Sequence, residues 1–235
     1  MLNKYKHLII ILFFVVISVI FSNYNKSDFK LINLSTVKDS EWSQLNRSEG
    51  ISVMNENGKI IFNQSEYNSK PVFLELENVY LRGIDKGEFG GDLSFIRKGN
   101  KQSILIKKGN IKFIFELDGK IYFIEGLAHM DINEGSMYRL DNINGKFSYE
   151  KILDFEDAPE AMMIYNDKIY IAGHENFYVI DKLNKKQILK KTFWGGLYPN
   201  SLATLDGKNI YVGMRGGYAL VNTETGAADF YGLKK

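Results

Sequence analysis

A unit of about forty residues repeats along the chain, and this repeat limits the possible folds more than any other feature. Residues 159–173 align with residues 199–213 at an offset of 40, which becomes 41 after the extra Asn209. The same pattern recurs at residues 113–123 and, more weakly, at residues 53–62. A chain that repeats at this spacing builds its fold from copies of one supersecondary unit.

Each copy has the pattern of a β-hairpin. From residue 49 onward, apolar and polar residues alternate in short runs that are separated by Asn-Gly, Asp-Gly and Gly-Gly pairs. A second hairpin follows each copy, and its first strand carries Ile96, Leu140, Ile180 and Val221 at steps of 44, 40 and 41 residues. Four strands in a unit of about 40–50 residues predict the blade of a β-propeller, in which stacked sheets bury each other's faces.

The repeat therefore predicts an all-β fold, a small β-propeller of four four-stranded antiparallel blades, or of five if residues 29–48 form a degenerate one. We expect residues 29–34 to pair with the last strand, at residues 227–231, because this pairing closes the ring and covers an open edge. The alternative is a non-repetitive antiparallel barrel or sandwich. The predicted blades are residues 49–109, 110–157, 158–197 and 198–235.

The composition excludes several classes of function. The chain has 30 basic and 28 acidic residues, a net charge of +2, so it lacks the basic excess of a nucleic-acid-binding protein. It contains no cysteine, which excludes disulfides, a thiol nucleophile and a cysteine zinc site. Three histidines remain for metal binding or for base catalysis.

Residues 1–26 have the layout of an export signal. Lys4 and Lys6 precede an apolar run of 14 residues, 8–21, which is shorter than the roughly 20 residues of a membrane span. No small-x-small cleavage site follows, so an uncleaved membrane anchor stands beside a cleaved signal peptide and a buried core helix. We expect an exported protein, extracellular or in the cell envelope, that meets the membrane only through residues 8–21. A tether at residues 27–48 would lead to the propeller domain at residues 49–235.

Candidate binding residues fall on one face of the predicted propeller. The loops between second and third strands open on the same side as the crossings between blades, and a rigid scaffold commonly carries its binding site on such loops. We predict that this loop face recognises a protein, a peptide or a glycan, with no cofactor. The predicted binding residues are Arg215, Trp194, Tyr198, Asn200, Glu88, Phe89 and Glu175.

Aromatic residues on this face have two interpretations. Trp194, Tyr198, Phe89 and Tyr218 would form a platform for a sugar or a peptide, since aromatic side chains with a polar group are favoured at binding surfaces. Alternatively, the same residues pack between blades as part of the core.

The main alternative function is a metal-assisted hydrolase or lyase. His129 and His174 occupy equivalent loops of neighbouring units, and either Glu160 or Glu175 would lie near them. The two histidines and Glu160 are candidate catalytic residues or metal ligands. No motif of fixed spacing supports this alternative. A carboxylate pair of glycosidase type, Glu88 with Asp157 or Glu160, is a weaker hypothesis.

Arg215 is the residue whose function we expect to be most informative. It stands in Gly-Met-Arg-Gly-Gly at residues 213–217, where glycines leave its guanidinium unshielded. The guanidinium would bind a carboxylate, either of a ligand or of Glu160 or Asp157 in the neighbouring blade.

The last two units resemble blades of bacterial secreted β-propellers of the quinoprotein and NHL-like kind. The resemblance is carried by YPNSLA at residues 198–203 and IYVGMRGGY at residues 210–218, and it covers about residues 85–232. GEFGG at residues 87–91 resembles loops of exported bacterial proteins with such repeats. The resemblance implies a fold but no activity. Quinoprotein blades carry a regularly placed tryptophan, whereas this chain has only Trp42 and Trp194, so no quinone is expected.

Overall fold

The computed structural model describes residues 23–65, 70–99, 101–143 and 146–234. Within these ranges the fold is all-β, with antiparallel sheets in the propeller-like order that the repeat predicts. The apolar run at residues 8–21, which is the predicted signal or anchor, lies outside the described residues. None of the helices in the described ranges has the length and apolar character that a membrane span requires.

The first elements of the chain are two short strands, a helix and a hairpin. In chain order they are β1 (Asn23–Tyr24), β2 (Phe29–Ile32), α1 (Asp39–Asn46), β3 (Gly50–Glu56) and β4 (Lys59–Ser65). Sheet 1 contains β1, β4 and β3, in that order. Short 3-10 helices occupy Lys26–Asp28, Leu34–Thr36 and, later in the chain, Gly87–Phe89.

Sheets 2 and 3 are consecutive four-stranded meanders. Sheet 2 contains β5 (Val72–Glu75), β6 (Val79–Asp85), β7 (Gly91–Arg97) and β8 (Ser103–Lys108). Sheet 3 contains β9 (Ile111–Leu117), β10 (Lys120–His129), β11 (Ile132–Ile143) and β12 (Lys146–Phe155).

Sheets 4 and 5 continue the same pattern. Sheet 4 contains β13 (Pro159–Tyr165), β14 (Lys168–Gly173), β15 (Phe177–Asp181) and β16 (Asn184–Leu189). Sheet 5 contains β17 (Ser201–Thr204), β18 (Asn209–Met214), β19 (Gly217–Asn222) and β20 (Ala228–Leu233). The N-terminal strand β2 is the fifth, outer strand of sheet 5.

The N-terminal strand pairs with the last strand as predicted, but through residues 29–32 and 230–233 rather than 29–34 and 227–231. β2 runs antiparallel to β20, with Phe29 opposite Leu233 and Ile32 opposite Phe230. Residues 29–48 do not form the degenerate fifth blade that the sequence allowed, because they fold into β2, a 3-10 turn and α1.

The predicted first blade, residues 49–109, is wrong in its extent. The structure divides it into sheet 1 and sheet 2, so there are five sheets in the described ranges rather than four. Sheet 1 has only two long strands and a two-residue edge strand, and β5 of sheet 2 has only four residues. These short strands produce little hydrophobic periodicity, which explains why the sequence pattern merges the two sheets.

Tight turns explain the repeated Asn-Gly and Asp-Gly pairs. Asn57 and Gly58 have φ values of 51° and 76°, and Asp118 and Gly119 have values of 50° and 67°. Positive φ at both central residues is typical of the two-residue hairpin turn whose twist matches the flanking strands. These turns lie opposite the loop face, because they join the first strand of a sheet to the second.

Four buried apolar clusters lie between sheets, joining sheet 2 to 3, 3 to 4, 4 to 5 and 5 to 1. Leu81 and Phe123 lie in the cluster between sheets 2 and 3, and Phe115 and Tyr178 lie in the cluster between sheets 3 and 4. Phe177 and Trp194 lie between sheets 4 and 5, and Ile51 and Tyr218 lie between sheets 5 and 1. Within the described ranges none of the four clusters joins sheet 1 to sheet 2. The apolar contacts therefore arrange the sheets in the order 2, 3, 4, 5, 1.

Candidate functional site

The loop face comprises the turns from second to third strands and the crossings between sheets. Hydrogen bonds between these two kinds of segment show that they share one face. Asn110, between sheets 2 and 3, donates from Nδ2 to the carbonyl of Gly87 at 2.8 Å. The amide of Arg215 donates to the carbonyl of Leu197 at 2.8 Å. The candidate residues predicted from the repeat register therefore lie on elements of the same face.

Six side chains from sheets 2–5 and the adjoining crossings form a chain of contacts on this face, which we name the mouth cluster. Its members are Asp85, Lys112, Glu160, His174, Tyr198 and Arg215. Lys112, on β9, joins the first three sheets of the series. Its Nζ lies 2.8 Å from Oδ2 of Asp85 and 3.2 Å from Oε2 of Glu160.

The electrostatics of these three groups are coupled. Burial raises the pKa of Glu160, although the charge of Lys112 acts in the opposite direction. Burial lowers the pKa of Lys112, but the carboxylates of Glu160 and Asp85 together raise it above its ordinary value. Lys112 therefore stays charged and holds two partly buried carboxyl groups together between three sheets.

His174 and Asn200 each present a buried nitrogen without a partner. Nδ1 of His174 lies 3.9 Å from Oε1 of Glu160, which is too far for a hydrogen bond. Nδ1 of His174 and Nδ2 of Asn200 have no hydrogen-bond partner among the described residues. An unpaired buried polar group costs about 1–3 kcal/mol, so these two nitrogens lower the stability of this face.

Arg215 and Tyr198 form the other end of the mouth cluster. The Cζ atom of Arg215 lies 4.3 Å from the centre of the Tyr198 ring, which is within the range of a cation–π contact. Nη1 of Arg215 donates to both the carbonyl and Oδ1 of Asn46, at the end of α1. An open cleft of about 490 Å³ lies here, lined by Arg215, Asn46, Arg47, Ser43 and Ser48. Tyr198 keeps 38% of its surface exposed.

The structure thus gives Arg215 a partner that the sequence did not suggest. We expected a carboxylate of Glu160 or Asp157, but Nη1 binds the end of helix α1. Glu160 is paired with Lys112, and the carboxylate of Asp157 accepts hydrogen bonds from the amides of Glu175 and Asn176.

Two predicted aromatic platform residues belong to the core. Trp194 is fully buried, and its indole Nε1 donates to the carbonyl of Gly173 at 3.2 Å. Tyr218 is also buried, among Phe29, Phe62 and Tyr231. The prediction of Trp194 as a binding residue is therefore wrong, because its side chain has no surface left for a ligand.

Phe89, Glu88 and Glu175 remain on the loop face. Phe89 is 83% exposed. Oε2 of Glu88 lies 2.9 Å from Nε2 of His129, so these two predicted residues form a pair between sheets 2 and 3. The backbone amide of Glu175 is held by Asp157 at 2.6 Å.

The two histidines do not share a carboxylate in the way that the metal-site hypothesis requires. His129 pairs with Glu88, whereas His174 lies beside Glu160. In the described part of the chain, no three His, Asp or Glu side chains are grouped closely enough to hold a metal ion. The metal-assisted hydrolase or lyase therefore lacks its centre among these residues.

Sequence reasoning missed Lys112 although the repeat register contains it. Lys112 precedes Lys120 by eight residues, and Glu160 precedes Lys168 by eight, while Asn200 precedes Lys208 by eight. The recognisable pattern of this copy begins at residue 113, one position after Lys112. The structure shows that this register position contributes a polar side chain to the face from sheets 3 and 4 and from the crossing into sheet 5.

Comparisons with known proteins do not assign this chain to a family. No family model matches it. No curated protein matches it either. Among solved structures, the tricorn protease matches with a TM-score of 0.41 and 13% identity over 78% of this chain and 26% of that chain. The extracellular domain of a protein described as a one-component system from B. thetaiotaomicron matches with a TM-score of 0.45 and 12% identity, over 87% of this chain and 29% of that chain.

This chain spans less than a third of the length of either solved structure. Both TM-scores are too low to support an argument about this chain, so its fold assignment rests on its own sheets and its function on its own residues.

Proposed function

We propose that the protein is an exported, non-enzymatic binding module that recognises a protein, a peptide or a glycan at the mouth cluster. The observation that carries this proposal is the contact between Arg215 and the partly exposed ring of Tyr198, with Cζ 4.3 Å from the ring centre, beside an open cleft that Arg215 lines.

These two side chains suit a ligand with an apolar face and a carboxylate. Tyr198 offers an aromatic face, and the guanidinium of Arg215 lies over that face at the edge of the open cleft. An aromatic ring with a planar cation binds the apolar face of a sugar or a peptide while the cation takes a carboxylate. At the other end of the mouth cluster, the ion pairs of Lys112 with Asp85 and Glu160 fix these side chains in place.

Export is proposed from the sequence alone. The apolar run at residues 8–21 follows two lysines, as in signal peptides and N-terminal anchors. We expect the double substitution Phe13→Asp and Val16→Asp to retain the chain inside the cell, because two charges abolish insertion of the run into the bilayer. Fractionation of cells that express a fused periplasm-active reporter enzyme measures this, and unchanged export would refute the proposal.

The binding proposal is tested on peptide and glycan arrays with the full chain. We expect Arg215→Ala and Tyr198→Ala each to weaken binding to the ligands found by at least tenfold. The matched control is Arg139→Ala, which removes an arginine that pairs with Asp141 and Glu150 away from the mouth cluster. If the control weakens binding as much as Arg215→Ala does, the mouth cluster is not the binding site.

A further inference from the structure

Two arginines from distant parts of the chain line one cleft. Arg47 directly follows helix α1, and Arg215 lies between β18 and β19, yet both line the same open cleft of about 490 Å³. The other lining residues are Ser43, Asn46 and Ser48. We name this site, with its five residues, the arginine cleft.

The two charges in the arginine cleft are both positive and permanent. A guanidinium stays protonated at every pH at which a protein is folded. Two like charges that line one cleft repel each other, and an anion bound in the cleft is attracted by both. In the part of the chain that the structure describes, no aspartate or glutamate lines this cleft. Its charge therefore favours an anionic ligand.

The acidic residues in the surroundings belong to other contacts. Oε1 of Glu49 accepts a hydrogen bond from the hydroxyl of Tyr24 at 2.6 Å. Oε2 of Glu41 accepts the amide at the start of α1 at 2.9 Å. Glu175 lies beside Gly195, where a Cβ would be 3.2 Å from its Cγ. None of these three carboxylates lines the arginine cleft, so none occupies the place of a ligand there.

The end of helix α1 does not oppose an anion with bare carbonyl groups. Nη1 of Arg215 donates to the carbonyl of Asn46 at 3.0 Å, and Oγ of Ser48 donates to the carbonyl of Gln44 at 2.8 Å. The amide of Ser48 donates to the carbonyl of Leu45 at 3.0 Å. The negative end of a helix consists of the partial charges on its unsatisfied carbonyls, and these three carbonyls have donors.

The two segments that carry the arginines are packed against each other. The amide of Gly216 donates to the carbonyl of Glu49 at 2.9 Å. A Cβ on Gly216 would lie 2.8 Å from Cδ2 of Leu45, so α1 lies directly on the backbone of the β18–β19 turn. The ring of Trp42 on α1 lies 6.3 Å from that of Phe193. The cleft is therefore preorganised, and a ligand does not have to order its walls.

The chemistry of the lining favours a glycan over a peptide. The five lining side chains are all polar, whereas sites that hold peptide side chains are lined mainly by apolar ones. Two hydroxyls and an amide match the hydroxyl groups of a sugar, and a guanidinium matches a carboxylate in shape and charge. We propose that the arginine cleft binds a carboxylate group of an acidic glycan, such as a polymer of uronic acids. This inference rests on the proposed function and selects one class among its ligands.

The test measures the binding of three soluble probes to the immobilised full chain. The first is the trimer of galacturonic acid, the second is the same trimer with its carboxyl groups converted to methyl esters, and the third is a peptide of three glutamates. We expect the free-acid trimer to bind at least tenfold more tightly than the other two, because the ester lacks the charge and the peptide lacks the hydroxyl groups. Equal binding of acid and ester, equal or tighter binding of the peptide, or no binding of the free-acid trimer would each overturn the proposal.

Substitutions of Arg47 locate the binding. Arg47→Gln should raise the Kd of the free-acid trimer at least tenfold without lowering the melting temperature, because the side chain is exposed. Arg47→Lys keeps the charge but not the planar fork, so it should weaken binding less. The matched control is Arg97→Gln, at an exposed arginine at the end of β7 that is remote from the loop face. An equal loss in this control would show that the net charge of the protein attracts the trimer, and would overturn the proposal.

Two outcomes separate this inference from the proposed function. Array ligands that Arg215→Ala and Tyr198→Ala weaken but Arg47→Gln does not would overturn the inference and leave the proposed function intact. If instead Arg47→Gln weakens binding of the free-acid trimer while Tyr198→Ala changes the binding of no ligand, the proposed site at the mouth cluster is wrong and the arginine cleft remains.

Discussion

Glu160 is a mostly buried carboxyl group whose charge depends on one lysine. Its side chain and that of Lys112 are 16% and 18% exposed, and Asp85 contacts the same lysine. Breaking a buried ion pair by removing one partner leaves an uncompensated charge, which is more costly than losing an exposed pair. The stability of the mouth cluster is therefore concentrated in Lys112.

We expect Lys112→Met to lower the free energy of unfolding by about 3 kcal/mol at neutral pH. Without the lysine, burial and Asp85 raise the pKa of Glu160 further. A group with a raised pKa in the folded state loses its stabilising contribution as the pH rises through that pKa. The difference from the wild type should therefore shrink as the pH falls and Glu160 becomes protonated.

Urea unfolding at acid and neutral pH measures this difference. The matched control is Lys59→Met, which changes an exposed lysine on β4. A difference that does not vary with pH would show that Lys112 acts through packing rather than through its charge.

Asp157 organises a loop of the site rather than binding a ligand. It is buried, and besides two amides it accepts a hydrogen bond from the hydroxyl of Tyr178 at 2.7 Å. Burial and this hydrogen bond raise the pKa of Tyr178, so its hydroxyl remains a donor. A Cβ on Gly173 would lie 2.4 Å from the carboxylate, which explains the glycine there.

We expect Asp157→Ala to destabilise the fold by about 3 kcal/mol, because it leaves three buried donors unpaired. Asp157→Asn retains an oxygen for the two amides and should cost about 1 kcal/mol. Thermal unfolding of the two variants distinguishes them. Equal losses would mean that the negative charge, and not the hydrogen bonds, is what the loop requires.

At the scale of the elements, β2 connects the N-terminal part of the chain to sheets 5 and 1, the last two of the sheet series. Phe29 is 6% exposed, and its ring lies 5.1 Å from the rings of both Phe62 on sheet 1 and Tyr218 on sheet 5. The strand thus does more than cover the edge of β20. It also fills the apolar cluster between the two sheets.

We expect Phe29→Ala to lower the free energy of unfolding by about 3–5 kcal/mol, as for other buried phenylalanines. Lys30→Ala, at the exposed neighbouring position, should change it little. Denaturant midpoints of both variants provide the measurement. A small effect of Phe29→Ala would mean that β2 is only an accessory edge strand.

The sequence predicts long, regular elements of this fold better than short ones. The first hairpins of sheets 1, 3 and 4 follow from Asn57-Gly58, Asp118-Gly119 and Asn166-Asp167, since both residues of each turn have positive φ. β5 has four residues, and β1 has two, so periodicity cannot reveal either. The excess length of the predicted first blade, residues 49–109, was the available sign of a second sheet.

The candidate site is predicted less well than the fold. The repeat register places His174, Arg215 and Tyr198 correctly on one face, because the register depends on backbone alone. It does not separate Trp194, which is buried, from Tyr198, which is exposed, since both lie in the same crossing. Nor does it predict that Arg215 meets α1, because a contact between residues 46 and 215 depends on how the distant N-terminal segment folds back.

At the scale of the whole molecule, the two ends of the sheet series are the weakest parts. Among the residues that the structure describes, sheets 3, 4 and 5 each share apolar clusters with two neighbours, whereas sheets 1 and 2 each share one. In stacked repeats, stability is approximately the sum of intrinsic and nearest-neighbour terms. End units therefore open more readily than inner ones.

We expect native-state hydrogen exchange to show this gradient. Amides of β10, β14 and β18 should exchange most slowly, and those of β4 and β6 should exchange faster, because end sheets open without global unfolding. Uniform protection across all five sheets would instead show that the molecule unfolds as one cooperative unit.

The position of sheet 1 has a consequence for the folding of the chain during synthesis. The apolar face of its hairpin, with Ile51 and Val53, is covered from sheet 5 by Ala203 and Tyr218, and the amide of Val53 donates to Oγ of Ser201 across 148 positions of chain. A hairpin made early has to wait for partners made about 150 residues later, at a synthesis rate of about 5–20 residues per second. For about 7–30 seconds the nascent hairpin therefore lacks the residues of sheet 5 that cover its apolar face.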